Sequence, residues 1–210
     1  MSSPDYDLFA SLVRTSCDSE ANKYDNLLEI VEKSPINCKT QLLLIWGENA
    51  LRKGNISCME ACLQETNKCS ARTFESVINR AMQGAAKGGH FDILRDYVNK
   101  FNMIRMSDDL FFAASTDECR KFILDRGYRL KSENEPFITV TCLSLTPEEC
   151  LSTVVFMNNI VAISEEPDVC DRFASKKYWA CVEFALKNGS KWTSYTDAQL
   201  VEYAKWKLSL

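Results

Sequence analysis

The chain has 210 residues, 46% of them hydrophobic, and carries 25 Lys and Arg against 29 Asp and Glu, for a net charge of −4. That length suffices for one sizeable core or one short solenoid, and the acidic balance argues against a dedicated nucleic-acid binder, whose phosphate contacts need a basic face. No run of about 18 apolar residues could span a bilayer, and the opening MSSPDYDLFA is acidic rather than basic before its apolar residues, unlike a secretory signal. The expectation is therefore an intracellular, cytoplasmic protein.

The ten cysteines lie in apolar, helix-like contexts such as CMEACL, TCLSL and YWACVEF, where a free thiol packs as a small hydrophobe. In chain order, YDNLLEIVEKSP, around Leu27, opens the helical pattern. Between residues 40 and 110, apolar residues recur at spacings of three and four in bursts of about ten residues, separated by turns with Gly or Asn. Strand-like clustering occurs only in PFITVTCLSL, and the expected class is all-α.

The bursts repeat. Met59 in NISCMEACL, Leu94 in HFDILRDYV, Cys119 in TDECRKFIL, Cys150 in PEECLSTVV and Cys181 in YWACVEFAL fill one relative position at intervals of 35, 25, 31 and 31 residues. Each is followed by an apolar cluster that reads as the inner stripe of a second helix. Upstream of most markers stand small or apolar residues suited to close packing of a first helix: Ala50, Ala85 with Ala86, Ala113 with Ala114, Cys142, and Phe173 with Ala174. Leu27 lies 32 residues before Met59 as a fainter copy, and DAQLVEYAKWKLSL begins a further first helix, as a terminal cap does. Gly54, Gly89, Gly127 and Gly189 are placed to take the left-handed conformation that ends or links helices. In the fourth copy LTPEEC supplies a helix start instead: Thr146 as cap, Pro147 at the first position, Glu148 and Glu149 in the first turn.

AAKGGHFDIL, Ala85 to Leu94, resembles the middle of an ankyrin repeat, where two alanines end the first helix and a Gly-His pair turns the chain into the second. CVEFALKNGSKW and CRKFILDRG are similar to the second helix and glycine exit of such a repeat. The resemblance covers residues 40–210, with residues 1–39 as an N-terminal helical cap or degenerate repeat. It implies a helical-repeat solenoid of degenerate ankyrin-like helix pairs, in the style of large DNA viruses or protists. No copy has the Thr-Pro-Leu-His opening that buttresses the family's β-hairpin loop, so those hairpins are expected to be short or missing.

Little in the chain points to chemistry. The single histidine, His90, stands at the Gly-His turn, where its ring can hydrogen-bond backbone groups of the neighbouring turn. Cys58, Cys62 and Cys69 come nearest to a metal cluster, yet Cys62 belongs to an inner stripe and no second ligand pair is evident. Phosphate-loop, dinucleotide, HExxH and GxSxG motifs are lacking.

The expectation is a non-enzymatic protein–protein interaction module without cofactor or metal, its partner another protein, and in the viral reading a host factor. The alternative is a structural subunit of a larger assembly such as a virion component. Neither a nucleic acid nor a membrane is expected as partner. Candidate protein-binding residues are Arg52, Lys53 and Lys87 at the ends of first helices, where ordinary solubilising charge is the competing reading, with Trp192 and Trp206 in the last unit.

Overall fold

A computed structural model describes residues 3–18, 24–102, 108–127, 145–160, 162–165 and 168–210. Cys142 and most of PFITVTCLSL lie outside them. Of the described residues 77% are helical and none is in a strand, so the chain is all-α. Among them, no helix is long and apolar enough to cross a membrane.

The chain divides into two compact units, Met1–Tyr128 and Arg129–Leu210. In the first, α1 (Ser3–Asp18), α2 (Asp25–Lys33), α3 (Ile36–Arg52), α4 (Ile56–Thr66), α5 (Ala71–Gly88), α6 (Phe91–Phe101), α7 (Asp108–Ala113) and α8 (Asp117–Asp125) follow one another. The helices α3, α5 and α7 pack side by side in that order, and α4, α6 and α8 each follow one of them. The α4–α5 connection is only Asn67–Ser70, too short for a β-hairpin finger.

The α3–α5 contact is unusually close because glycine and alanine line it. A Cβ on Gly84 would lie 2.1 Å from the Glu48 carbonyl oxygen, and one on Gly88 would lie 2.3 Å from that of Arg52. Gly47 faces Val77 and Ala81 on the other helix. At this separation Trp46, Leu42, Leu43, Val77, Ala81 and Met82 close into a core with almost no exposed surface, each full-sized aliphatic side chain contributing about 2 kcal/mol of burial.

The second unit contains α9 (Pro147–Asn158), a short 3-10 helix (Ile163–Glu165), α10 (Val169–Ser175), α11 (Trp179–Lys187) and α12 (Asp197–Leu208). The start of α9 is a capping box: the Thr146 hydroxyl accepts from Glu149 N, and the Glu149 carboxylate accepts from Thr146 N at 3.0 Å. Val154, Val169, Phe173, Cys181, Val182 and Ala185 form its core.

One backbone exit recurs in both units. Asn55 N donates to Ala50 O, His90 N to Ala85 O, Tyr178 N to Phe173 O and Ser190 N to Ala185 O, at 2.9–3.0 Å. This is the six-to-one bond of a Schellman motif, and it needs a left-handed residue just before the donor. Gly54, Gly89 and Gly189 provide it with φ of 69°, 72° and 91°. In the α10–α11 turn the residue is Lys177 at φ 60°, a role the sequence pattern does not reveal.

All five repeat markers are fully buried, as is Leu27. Counted from the residue capping each helix, however, Met59, Leu94 and Cys150 stand four positions in, and Cys119 and Cys181 only three. The fourth position of α8 is Arg120, whose side chain is 1% exposed and pairs with Asp117 at 2.8 Å. The one-residue offset is tolerated because both neighbouring positions face the core.

Two substitutions test this packing. Gly84→Ala is expected to force α3 and α5 apart and to cost about 3 kcal/mol, read as a fall in the urea midpoint. Lys177→Gly is expected to raise the midpoint through a gain of about 0.5–1 kcal/mol in stability, because left-handed strain on a residue with a Cβ exceeds the loss of the exposed Lys177–Glu202 pair.

Candidate functional site

The close α3–α5 crossing fixes where the helix ends lie. With Gly88 against the Arg52 carbonyl, the turn after α5 sits beside the turn after α3. His90 occupies the seam: its Nε2 is 3.0 Å from Arg52 O. Its ring lies against the Cα of Gly54, where a Cβ would be 3.0 Å from Cε1. The next turn joins the same row, since Ser115 N donates to Ala86 O at 3.0 Å and Ser115 Oγ donates to the same carbonyl at 3.4 Å. His90 thus hydrogen-bonds the backbone of the neighbouring turn, as its position implied.

Three of the candidate residues stand at the ends of these two helices. Arg52 and Lys53 are exposed at the end of α3, and Lys87 is half-buried in the last turn of α5. Cations there oppose the negative end of each helix dipole, so their charge also favours the helices.

Trp192 and Trp206 belong to the second unit, in an aromatic cluster with Trp179 and Tyr203. Ring centroids are 6.4 Å apart for Trp179 and Trp192, 5.5 Å for Trp192 and Tyr203, and 5.9 Å for Tyr203 and Trp206, the last pair stacked. Both tryptophans are half-buried against the core of this unit, which leaves only part of each ring to a partner. Asp171 pins the Trp192 loop, accepting from Thr193 Oγ1 and Ser194 N at 2.8 Å each.

The anchor of α12 is Glu183 on α11. It accepts a hydrogen bond from the Tyr203 hydroxyl and pairs with Lys187 at 3.2 Å and Lys207 at 3.3 Å. Chiefly through that tyrosine bond, with the two lysines adding, its carboxyl is held down at about 2. Burial and the facing carboxylate push the Tyr203 phenol up to about 12. Sequence reasoning missed this pair, which joins residues 20 positions apart on different helices.

Three of the thiols are poor nucleophiles. Burial raises Cys62 to about 12 and Cys170 to about 11, and it raises Cys119 as well. Cys58 accepts from Trp46 Nε1 at 3.2 Å. Among the described residues, no three His, Cys, Asp or Glu side chains converge as metal ligands. A cleft of about 550 Å³ opens in the first unit, lined in part by Val31, Leu43, Lys39, Thr73, Glu65 and Lys68. Lys68 pairs there with Glu65 and, at 3.5 Å, with Glu32, so much of its charge is balanced within the protein.

Tyr203→Phe tests the anchor. Glu183 is depressed in the folded state, so its contribution exists above the usual carboxylate range and fades as pH falls towards 2. The variant is expected to lose about 1 kcal/mol at pH 7, low for a charge-assisted bond because water competes. The difference from wild type should shrink towards pH 2, and carboxyl NMR of the variant should show Glu183 titrating higher than in the wild type.

No protein-family model matches the chain, and no curated protein or solved structure matches it either.

Proposed function

We propose that this chain is a protein-interaction module built as a solenoid of degenerate ankyrin-like helix pairs, acting by surface complementarity with no bond made or broken. The observation that carries the reading is the recurring helix exit, together with its stacking in the first unit. His90 binds the Arg52 carbonyl, and Ser115 binds that of Ala86, so each turn rests on backbone of the one before. A frame held through carbonyls and small residues leaves outward side chains free to vary, as repeat proteins do when they evolve a binding face.

The histidine, engaged by backbone, and the raised thiols favour binding over nucleophilic chemistry. The face we propose is the end of α3 and α5 that displays Arg52, Lys53 and Lys87; in the second unit, the exposed parts of Trp192 and Trp206 are separate candidate contacts. Its basic side chains suit an acidic segment of another protein. The viral style of the repeats makes a host protein the partner class, and the cytoplasm the compartment in which they meet.

The test is affinity purification of the tagged chain from host-type cells, with stoichiometry from quantitative mass spectrometry. One near-stoichiometric foreign protein is expected. Its binding should weaken about tenfold or more in the Arg52→Glu, Lys53→Glu, Lys87→Glu triple variant, with the circular dichroism unchanged. Recovery of copies of this chain alone, or undiminished binding by the variant, would count against the module and its face respectively, the former favouring a structural subunit.

A further inference from the structure

The helix α12 is amphipathic in an unusual sense. Its inward face is held by Tyr203 and Lys207 on Glu183, by the Tyr203 ring against Trp179 and Trp192, and by Glu202 paired with Lys177 at 3.1 Å. None of its residues is buried. On the outward face one i, i+4 row is Leu200, Ala204 and Leu208, and the adjoining row is Asp197, Val201 and Lys205. Val201 is 51% exposed and Leu208 88%, an apolar stripe presented to water on a helix that its other face prevents from rolling over.

We propose that this face docks on the same face of a second copy of the chain, antiparallel, about a two-fold axis at Val201. The charges argue for a copy as the occupant. In the row Asp197, Val201, Lys205, the two ends carry opposite sign and lie equidistant from Val201. A two-fold axis there sets Asp197 of each chain against Lys205 of the other, giving two ion pairs around a Val201–Val201 contact. Antiparallel helices also bring opposite dipole ends together, and Ala204 lets the backbones approach.

One helix face buries less than the roughly 1,200 Å² of a standard interface, so the dimer is a weak, reversible one. This association goes beyond the partner-binding role, involves different residues from Arg52, Lys53 and Lys87, and stands or falls separately from it.

Sedimentation equilibrium of the full chain under reducing conditions, from about 10 to 500 µM, reads the association directly. A monomer–dimer equilibrium is expected in the wild type, and Val201→Glu should abolish it. Asp197→Lys and Lys205→Asp each place like charges together twice and should raise the dissociation constant about tenfold or more. An equal mixture of those two single variants restores the pairs across a heterodimer and should recover association near the wild-type level. Their circular dichroism is measured in parallel; rescue in the mixture also shows that neither variant lost its fold. A wild type monomeric throughout, a dimer indifferent to Val201→Glu, or a mixture no tighter than its components would overturn the proposal.

Discussion

The approach of α3 to α5 is the constraint from which the first unit follows. Helices normally meet through side chains at 8–10 Å between axes, but here Gly84 and Gly88 bring one backbone directly onto the carbonyls of Glu48 and Arg52. A contact of this kind allows almost no sliding, because any shift along the helices presents a Cβ to a carbonyl. The relative height of the two helices is thereby fixed, and so is the height of the turns that end them. His90 reaches Arg52 O only because Gly88 already lies against that carbonyl. The turn chemistry is a consequence of the helix packing rather than its cause.

The second unit reaches a related turn with other residues. Lys177 stands where Gly89 stands, and Tyr178 where His90 stands, judged by the shared six-to-one bond. The Tyr178 hydroxyl then donates to Leu145 O at 2.6 Å, as the His90 ring engages Arg52 O. A phenol and an imidazole thus play the same part, in which a ring from the last residue of a turn ties an earlier carbonyl that would otherwise need water. The exit of α11 does it with a smaller group, Ser190 Oγ donating to Ile163 O at 3.2 Å. The common requirement is a polar group of suitable reach, which explains why identity at this position varies while backbone geometry does not.

Those substitutions also mark the boundary of what the residues alone convey. Gly54, Gly89, Gly127 and Gly189 were legible as left-handed positions because glycine is the residue least strained there, and all four adopt positive φ. Thr146 with Glu149 was legible because a capping box is local. Lys177 was not, since nothing in lysine advertises positive φ; only the six-to-one bond around it does. Gly47, Gly84 and Gly88 sit inside helices, where glycine ordinarily lowers helix propensity, and their purpose appears only once the facing groups are located, the Val77 and Ala81 side chains for Gly47 and carbonyls for the other two. Arg120 occupies a core position that periodicity alone would fill with an aliphatic residue. Of the candidate residues, the places of Arg52 and Lys87 at helix ends, with Lys53 next to the former, were implicit in the repeat frame. The partial burial of Trp192 and Trp206 depends on the α11–α12 anchor, a long-range pairing without sequence signature.

The abundance of cysteine fits the same physical account. Between closely packed helices there is room for a side chain larger than alanine, and a thiol fills it while offering a weak donor to carbonyls the packing leaves nearby. Cys62 Sγ lies 3.6 Å from Leu43 O, and Cys181 Sγ 3.9 Å from Pro147 O. An aliphatic residue of similar size could not make that contact, and serine would bury a stronger polar group at greater cost. The burial that suits these thiols to packing also raises Cys62 and Cys170 far above neutrality, so they remain protonated and unreactive. Cysteine, histidine and glycine are thus engaged in holding helices and turns together, and the side chains least constrained by that packing are the exposed ones on α3 and α12.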